Sequence, residues 1–187
     1  MSRTNPWKTL HSRMIYQNSW IAVREDAVIR PDGAEGIYGV VEARPAIGIL
    51  ALTPEEGVYL VGQYRYPTNH YSWEIIEGGG DPAEDALQTA RRELEEEAGL
   101  LAASWNELGG EVHLSNCFSA EVARFFIATD LSSTTAKPDG TEVLDVRCVP
   151  FQHCLDMVHR GEITDAMSII ALLRLDYLAR TTGWPAR

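Results

Sequence analysis

No apolar run in this 187-residue chain approaches the ~20 residues of a membrane-spanning helix. The amino terminus likewise carries no signal-peptide pattern. Cysteine is scarce: Cys117, Cys148 and Cys154 are odd in number and lack metal-site spacing. A disulfide scaffold is therefore not expected, each thiol reads as a small core residue, and a reduced, cytoplasmic protein follows. The five histidines (His11, His70, His113, His153 and His159) show no ligand spacing and receive no role. Positive charge is also short, with 16 Lys and Arg against 27 Asp and Glu and a net charge of -11. That balance argues against nucleic acid or an anionic membrane as the main partner. A polyanionic small molecule can still approach if bound cations reverse the sign locally. Repeats, low-complexity tracts and Pro/Ser linkers are absent, so one domain of ordinary size is expected.

What the chain has in abundance is carboxylate, and much of it sits between Gly78 and Leu100. Asp81, Glu84, Asp85, Glu93, Glu95, Glu96 and Glu97 share this stretch with Arg91 and Arg92. The pattern predicts a helix with Asp81 as N-cap, Pro82 at the first position, Glu84 completing a capping box and Gly99 as the stop. At about 100° per residue, Ala83, Ala86, Leu87, Ala90, Leu94 and Ala98 form one apolar arc. Glu93 and Glu97 fall on the edge of that arc, one turn apart, with Glu96 beside them and Arg92 next to Glu96. Arg91 and Glu95 face the far side, where an i,i+4 pair in water is expected. A solvated charged helix is one reading. The other is a divalent-cation site, because carboxylates on the rim of a packing face are partly desolvated and repel one another unless paired. Magnesium suits such a set, taking one or two carboxylates and completing its shell with substrate phosphates.

Gly78, five residues, Glu84, seven residues and then Arg92-Glu93-Leu94-Glu95-Glu96-Glu97-Ala98-Gly99-Leu100 resembles the complete Nudix box, with no gap and no substituted fixed position. The resemblance implies a hydrolase of nucleoside diphosphates linked to another group X, dependent on Mg2+ or Mn2+. It implies Glu93 and Glu97 as main metal ligands, Glu96 as a further ligand and the Glu77 carbonyl as another. Arg92 would orient these glutamates, and Glu84 would support the loop or an additional ion. Gly78 would let that loop turn closely above the metal, where a side chain would obstruct.

Around the box, strand-like runs span 20–30, 37–42, 46–52, 58–64 and 72–76, and later 105–114, 122–128 and 143–149. Residues 151–160 and 163–179 read as helices. The fold class is α/β, with strands covered on both faces. The resemblance narrows it to a Nudix-type α/β/α sandwich with a mixed sheet and an N-terminal β-hairpin extension. Residues 1–44 would form that dimer-building extension and residues 45–187 the hydrolase domain.

Beyond the box, Gln63-Tyr64-Arg65-Tyr66-Pro67, Trp73-Glu74 and Gly161-Glu162-Ile163-Thr164-Asp165 resemble the ADP-ribose and nucleotide-sugar pyrophosphatase branch. An arginine near Arg65 holds the diphosphate in that branch, a role suited to a planar guanidinium. The alternative for Arg65 is a surface ion pair, and Arg44 is a weaker candidate of the same type. Glu142 matches a late-loop glutamate that serves as general base. It could equally be an ordinary loop acid, with Glu96 as the other candidate base. The branch also implies a homodimer whose N-terminal strands cross between subunits. Tyr16, Trp20, Tyr64, Tyr66, Tyr71 and Trp73 are mostly expected in the core or interface, with base stacking as the other use. One departure stands out. The branch's Ser-Pro-Gly stretch is here Leu114-Ser115-Asn116-Cys117-Phe118-Ser119-Ala120-Glu121, retaining Glu121 without the proline. Competing functions are a housecleaning hydrolase of nucleoside triphosphates or dinucleoside polyphosphates, and a catalytically silent nucleotide-sensing module.

Overall fold

The computed structural model of the protein describes residues 4–80, 83–137, 140 and 143–186. Its chain packs as two compact units, Met1–Arg44 with His113–Val122, and Pro45–Val112 with Ala123–Arg187.

The first unit is an antiparallel meander of β1 (Lys8–Gln17), β2 (Ile21–Ile29) and β3 (Glu35–Ala43). The expected hairpin thus has a third strand in front of it. β1 was passed over as a strand because His11, Ser12 and Arg13 separate Leu10 from Met14, Ile15 and Tyr16 and break up any continuous alternation, and in the fold all ten of its residues are exposed. Residues 113–122 fasten to β3: Val41 donates to the Phe118 carbonyl at 2.8 Å and accepts from Ala120 at 2.9 Å.

In the second unit, β4 (Ala46–Ala51), β5 (Gly57–Arg65), β6 (His70–Glu74) and β7 (Ile76–Gly79) precede the box helix α1 (Ala86–Ala98). Then come β8 (Leu100–Glu107), a two-residue β9 (Val112–His113) where the units meet in sequence, β10 (Val122–Ser133) and β11 (Asp145–Pro150). Helices α2 (Phe151–His159) and α3 (Ala166–Thr182) close the chain. One sheet runs β7-β4-β10-β8 and is mixed, since β10 lies parallel to β4 while the other pairs are antiparallel. The other, β11-β5-β6, is antiparallel.

Residues 72–76 do not form one strand. Ile75 interrupts them, and the chain leaves one sheet for the other at that residue. Strand alternation then sends successive side chains of β7 to opposite faces. Ile76 joins Ile47, Ile49, Ala51, Ala90 and Leu94 in a dry core beneath α1. Glu77 faces the other way, toward α3, where its carboxylate meets Ser168. Helices therefore cover this sheet on both sides, as the sandwich requires. No helix among the described residues is long and apolar enough to cross a membrane.

Candidate active site

The box helix starts later than the sequence suggests. Asp81 and Pro82 lie outside the described residues, and the cap is Asp85, whose carboxylate accepts from Leu87 at 2.9 Å and Gln88 at 3.0 Å. This frees Glu84 from a capping box. It accepts instead from the Thr89 hydroxyl at 3.0 Å and from the Arg92 guanidinium at 3.4 Å. Gly99 ends the helix in the left-handed region at φ 61°, its amide reaching back to the carbonyls of Glu95 and Leu94.

Arg92 is the hub of the site. Its Nη1 donates to Glu93 Oε1 at 2.7 Å and to Glu96 Oε2 at 2.9 Å, and its Nη2 reaches the Gly79 carbonyl at 3.4 Å. Burial opposes its charge, but Glu96 and Glu93 outweigh that cost and raise its pKa. The expected pair between Arg91 and Glu95 is not formed. Arg91 is exposed, and the helix's ion pairs converge on Arg92.

Glu97 is 5% exposed, the most buried carboxylate of the helix, and its Oε2 accepts from the Glu77 amide at 3.3 Å. Gly78 lies directly over Glu93: a Cβ built there would overlap the Glu93 carboxyl. The β7 register places Gly78 opposite Ile47 and Glu77 opposite Gly48, so the core strand β4 sets the height of the loop above α1. Among the described residues no three side chains are arranged as a formed metal cluster, and Arg92 draws Glu93 and Glu96 toward itself. The oxygen-only donors fit a hard divalent cation, and the bare Gly78 backbone lets the Glu93 carboxyl lie directly against the loop.

A second cluster surrounds Arg65. Its Nε donates to both carboxylate oxygens of Glu74 at 3.0 Å, its Nη2 to Oε2 at 2.5 Å, and Glu77 Oε2 lies 3.9 Å away. Glu77 carries a pKa well above the usual carboxylate range. Burial is the main cause, followed by the charge and hydrogen bond of Asp165 and the charge of Glu74, with Arg65 opposing. A cavity of 450 Å³ opens here, lined by Arg65, His70, Ser72, Glu74, Thr164 and Asp165 among others. Arg65 is thus neither a free guanidinium nor a mere surface pair, since its partner Glu74 is buried.

The remaining candidates lie elsewhere. Arg44, Trp20 and Glu121 belong to the first unit, where Arg44 and Trp20 are exposed and burial raises the Glu121 pKa. Glu142 lies outside the described residues. The segment leading to it starts against α1, with the Lys137 amide donating to the Glu96 carbonyl at 3.0 Å. Of the aromatics expected mostly in the core or an interface, Tyr16, Trp20, Tyr64, Tyr66 and Tyr71 are exposed in the single chain, while Trp73 packs under Arg147. Cys154 alone of the thiols is buried, its pKa pushed up to about 12 by burial; Cys117 and Cys148 are exposed, against the expectation of core residues. The sequence reading assigned no individual role to Thr89, Asp165 or Ser168. The last two carry a signal in retrospect, an Asp-x-x-Ser start before an apolar helix.

Residues 42–167 match the Nudix domain family, and residues 7–41 match the nucleoside diphosphate sugar hydrolase N-terminal domain. An ADP-ribose pyrophosphatase of Mycobacterium tuberculosis is 32% identical over 95% of this chain and 86% of its own length. One from Bacillus subtilis is 29% identical over 88% of this chain and 90% of its own. A solved ADP compounds hydrolase superposes with a TM-score of 0.83 at 20% identity, covering 98% of this chain and all of that one, and so shares the fold. With an unbroken box folded around Arg92 and these relatives spanning its length, the chain belongs to the Nudix family, among its pyrophosphatase hydrolases.

Proposed function

We propose that the protein hydrolyses the diphosphate bond of a nucleoside diphosphate linked to X, ADP-ribose or a nucleotide sugar, in a Mg2+-dependent reaction giving NMP and phosphorylated X. The observation that carries this reading is the arrangement of Glu84, Glu93 and Glu96 on one arginine beside buried Glu97, beneath a glycine backbone. A divalent ion bound there would polarise the diphosphate and lower the pKa of an attacking water. Glu93, Glu97, Glu96 and the Glu77 carbonyl would hold it, with Arg92 keeping the carboxylates in place. Arg65 opens onto the cavity it shares with His70, Thr164 and Asp165, a position suited to gripping a phosphate with whatever donors Glu74 leaves. Glu142 is the proposed base, with Glu96 as its alternative. The names of the two bacterial relatives favour ADP-ribose within the substrate class.

The first unit supports a homodimer. Leu10, Met14, Ile15, Tyr16, Trp20 and Ile37 are exposed there, a density of apolar side chains that marks an interaction surface. Sedimentation of the full chain checks it, a monomer at micromolar concentration being the contrary result. Its three free thiols suit the reduced cytoplasm expected from the sequence.

A product screen with Mg2+ over ADP-ribose, nucleotide sugars, diadenosine polyphosphates, NADH and oxidised triphosphates tests the activity. AMP with ribose phosphate, or NMP with a sugar phosphate, is expected. Pyrophosphate released from triphosphates in preference would sink the reading. The companion variant Glu97→Gln should lose about a thousandfold in activity on the diphosphate.

A further inference from the structure

Ser168 is fully buried in the first turn of α3, and its polar bonds reach outside its own helix. Its amide is held by the cap Asp165 at 2.7 Å. Its hydroxyl oxygen accepts from the Ile75 amide at 2.9 Å, while the hydroxyl proton goes to Glu77 Oε1 at 3.0 Å. Ile75 is the residue outside both strands where the chain changes sheets, so its buried amide needs a partner that a ladder does not supply. Two residues on, the Glu77 amide donates to Glu97. One hydroxyl therefore grips the backbone before that peptide and the side chain of the residue that carries it. Only a group that both accepts and donates can do this: alanine does neither, and a carboxylate would add charge beside Glu77 and Asp165.

We propose that Ser168 is a positioning residue for the metal-binding carboxylates. Held by α3, the 75–77 backbone presents the Glu77 amide to Glu97 and fixes the direction in which that carboxylate faces. The C-terminal helix thereby sets the geometry of a site whose ligands all lie elsewhere. The inference rests on Glu97 as a metal ligand, and its consequence is a binding property separable from turnover.

The test is Mn2+ binding to the substrate-free, full-length protein, read from the paramagnetic resonance signal of free Mn2+, with thermal unfolding measured alongside. Ser168→Ala should weaken Mn2+ binding about tenfold, as loss of an outer hydrogen bond to a metal ligand does. Its turnover should recover toward the native value as Mn2+ is raised, which a general loss of folding would not allow. Ser168→Thr keeps the hydroxyl and should bind within about threefold of native. Glu77→Ala removes one of the two partners and should weaken binding by part of the Ser168→Ala loss, and the double variant should be no weaker than Ser168→Ala. Native affinity in Ser168→Ala, a Thr variant as weak as Ala, or additive losses in the double would overturn the proposal. Should Ser168→Ala fail to fold, native affinity in Glu77→Ala overturns it instead. Glu97→Gln separates the two readings. If it binds Mn2+ like the native protein, the metal assignment itself falls; if it alone loses binding, only the role of Ser168 falls.

Discussion

Arg92 and Arg65 each gather several carboxylates in the same unit, yet they are committed to different degrees. Arg65 holds one buried partner with two nitrogens, and that partner, Glu74, keeps only 3% of its side chain exposed. Arg92 divides its donors among Glu84, Glu93, Glu96 and a backbone carbonyl, and Glu96 remains 40% exposed. A bidentate pair with a desolvated carboxylate resists exchange, since separating it leaves a buried charge unpaired. A guanidinium shared among several carboxylates, one of them partly exposed, would give up a carboxylate oxygen to a divalent ion at lower cost. The same residue types thus build a fixed strut at Arg65 and an adjustable cluster at Arg92.

Removing each arginine should expose that contrast. Arg92→Ala is expected to lower diphosphate hydrolysis about a hundredfold and raise the Mg2+ requirement, with little change in urea stability. Arg65→Ala should instead cost about 2 kcal/mol of unfolding free energy, below the roughly 3–5 kcal/mol of a fully buried pair because Arg65 is 40% exposed. Equal stability losses in the two variants would erase the distinction.

Glu77 sharpens it through pH. Its pKa is raised in the folded protein, so above the ordinary carboxylate range the native state retains a proton that the unfolded chain has released. Native stability from this group is accordingly lost as pH rises from about 4.3 toward the raised value. Glu77→Gln carries no such proton, so its unfolding midpoint in metal-free buffer should gain on the native one as pH increases. A gap independent of pH between 4 and 8 would contradict this. The smallest effect belongs to Asp85→Ala, which should cost about 1 kcal/mol by uncapping α1 in thermal melts and leave Arg65 and its cavity undisturbed.

Much of the site was legible because it is local. The spacing of Arg92, Glu93, Glu96 and Glu97 places them within two turns of one helix, and helical periodicity alone puts Glu97 at the edge of the packed face. Gly99 as the stop followed from the same pattern. The cap was misread because Asp81 and Asp85 both suit the role by type, and the local chain path selects Asp85. The break at Ile75 was missed because Ser72-Trp73-Glu74-Ile75-Ile76 contains no glycine or proline to mark a turn, and a change of sheet has no residue signature of its own.

The sequence by itself determined which groups sit together: carboxylates of the kind a hard cation would take, with a glycine and an arginine at fixed spacing around one helix. Only the tertiary structure decided which carboxylates are tied to which arginine, that Glu77 turns its side chain away from the box, and that Ser168 stands beneath it. Glu77 and Ser168 are 91 residues apart in the chain. Their meeting depends on the alternation of β7 and the docking of α3, and packing between distant segments leaves no spacing to read.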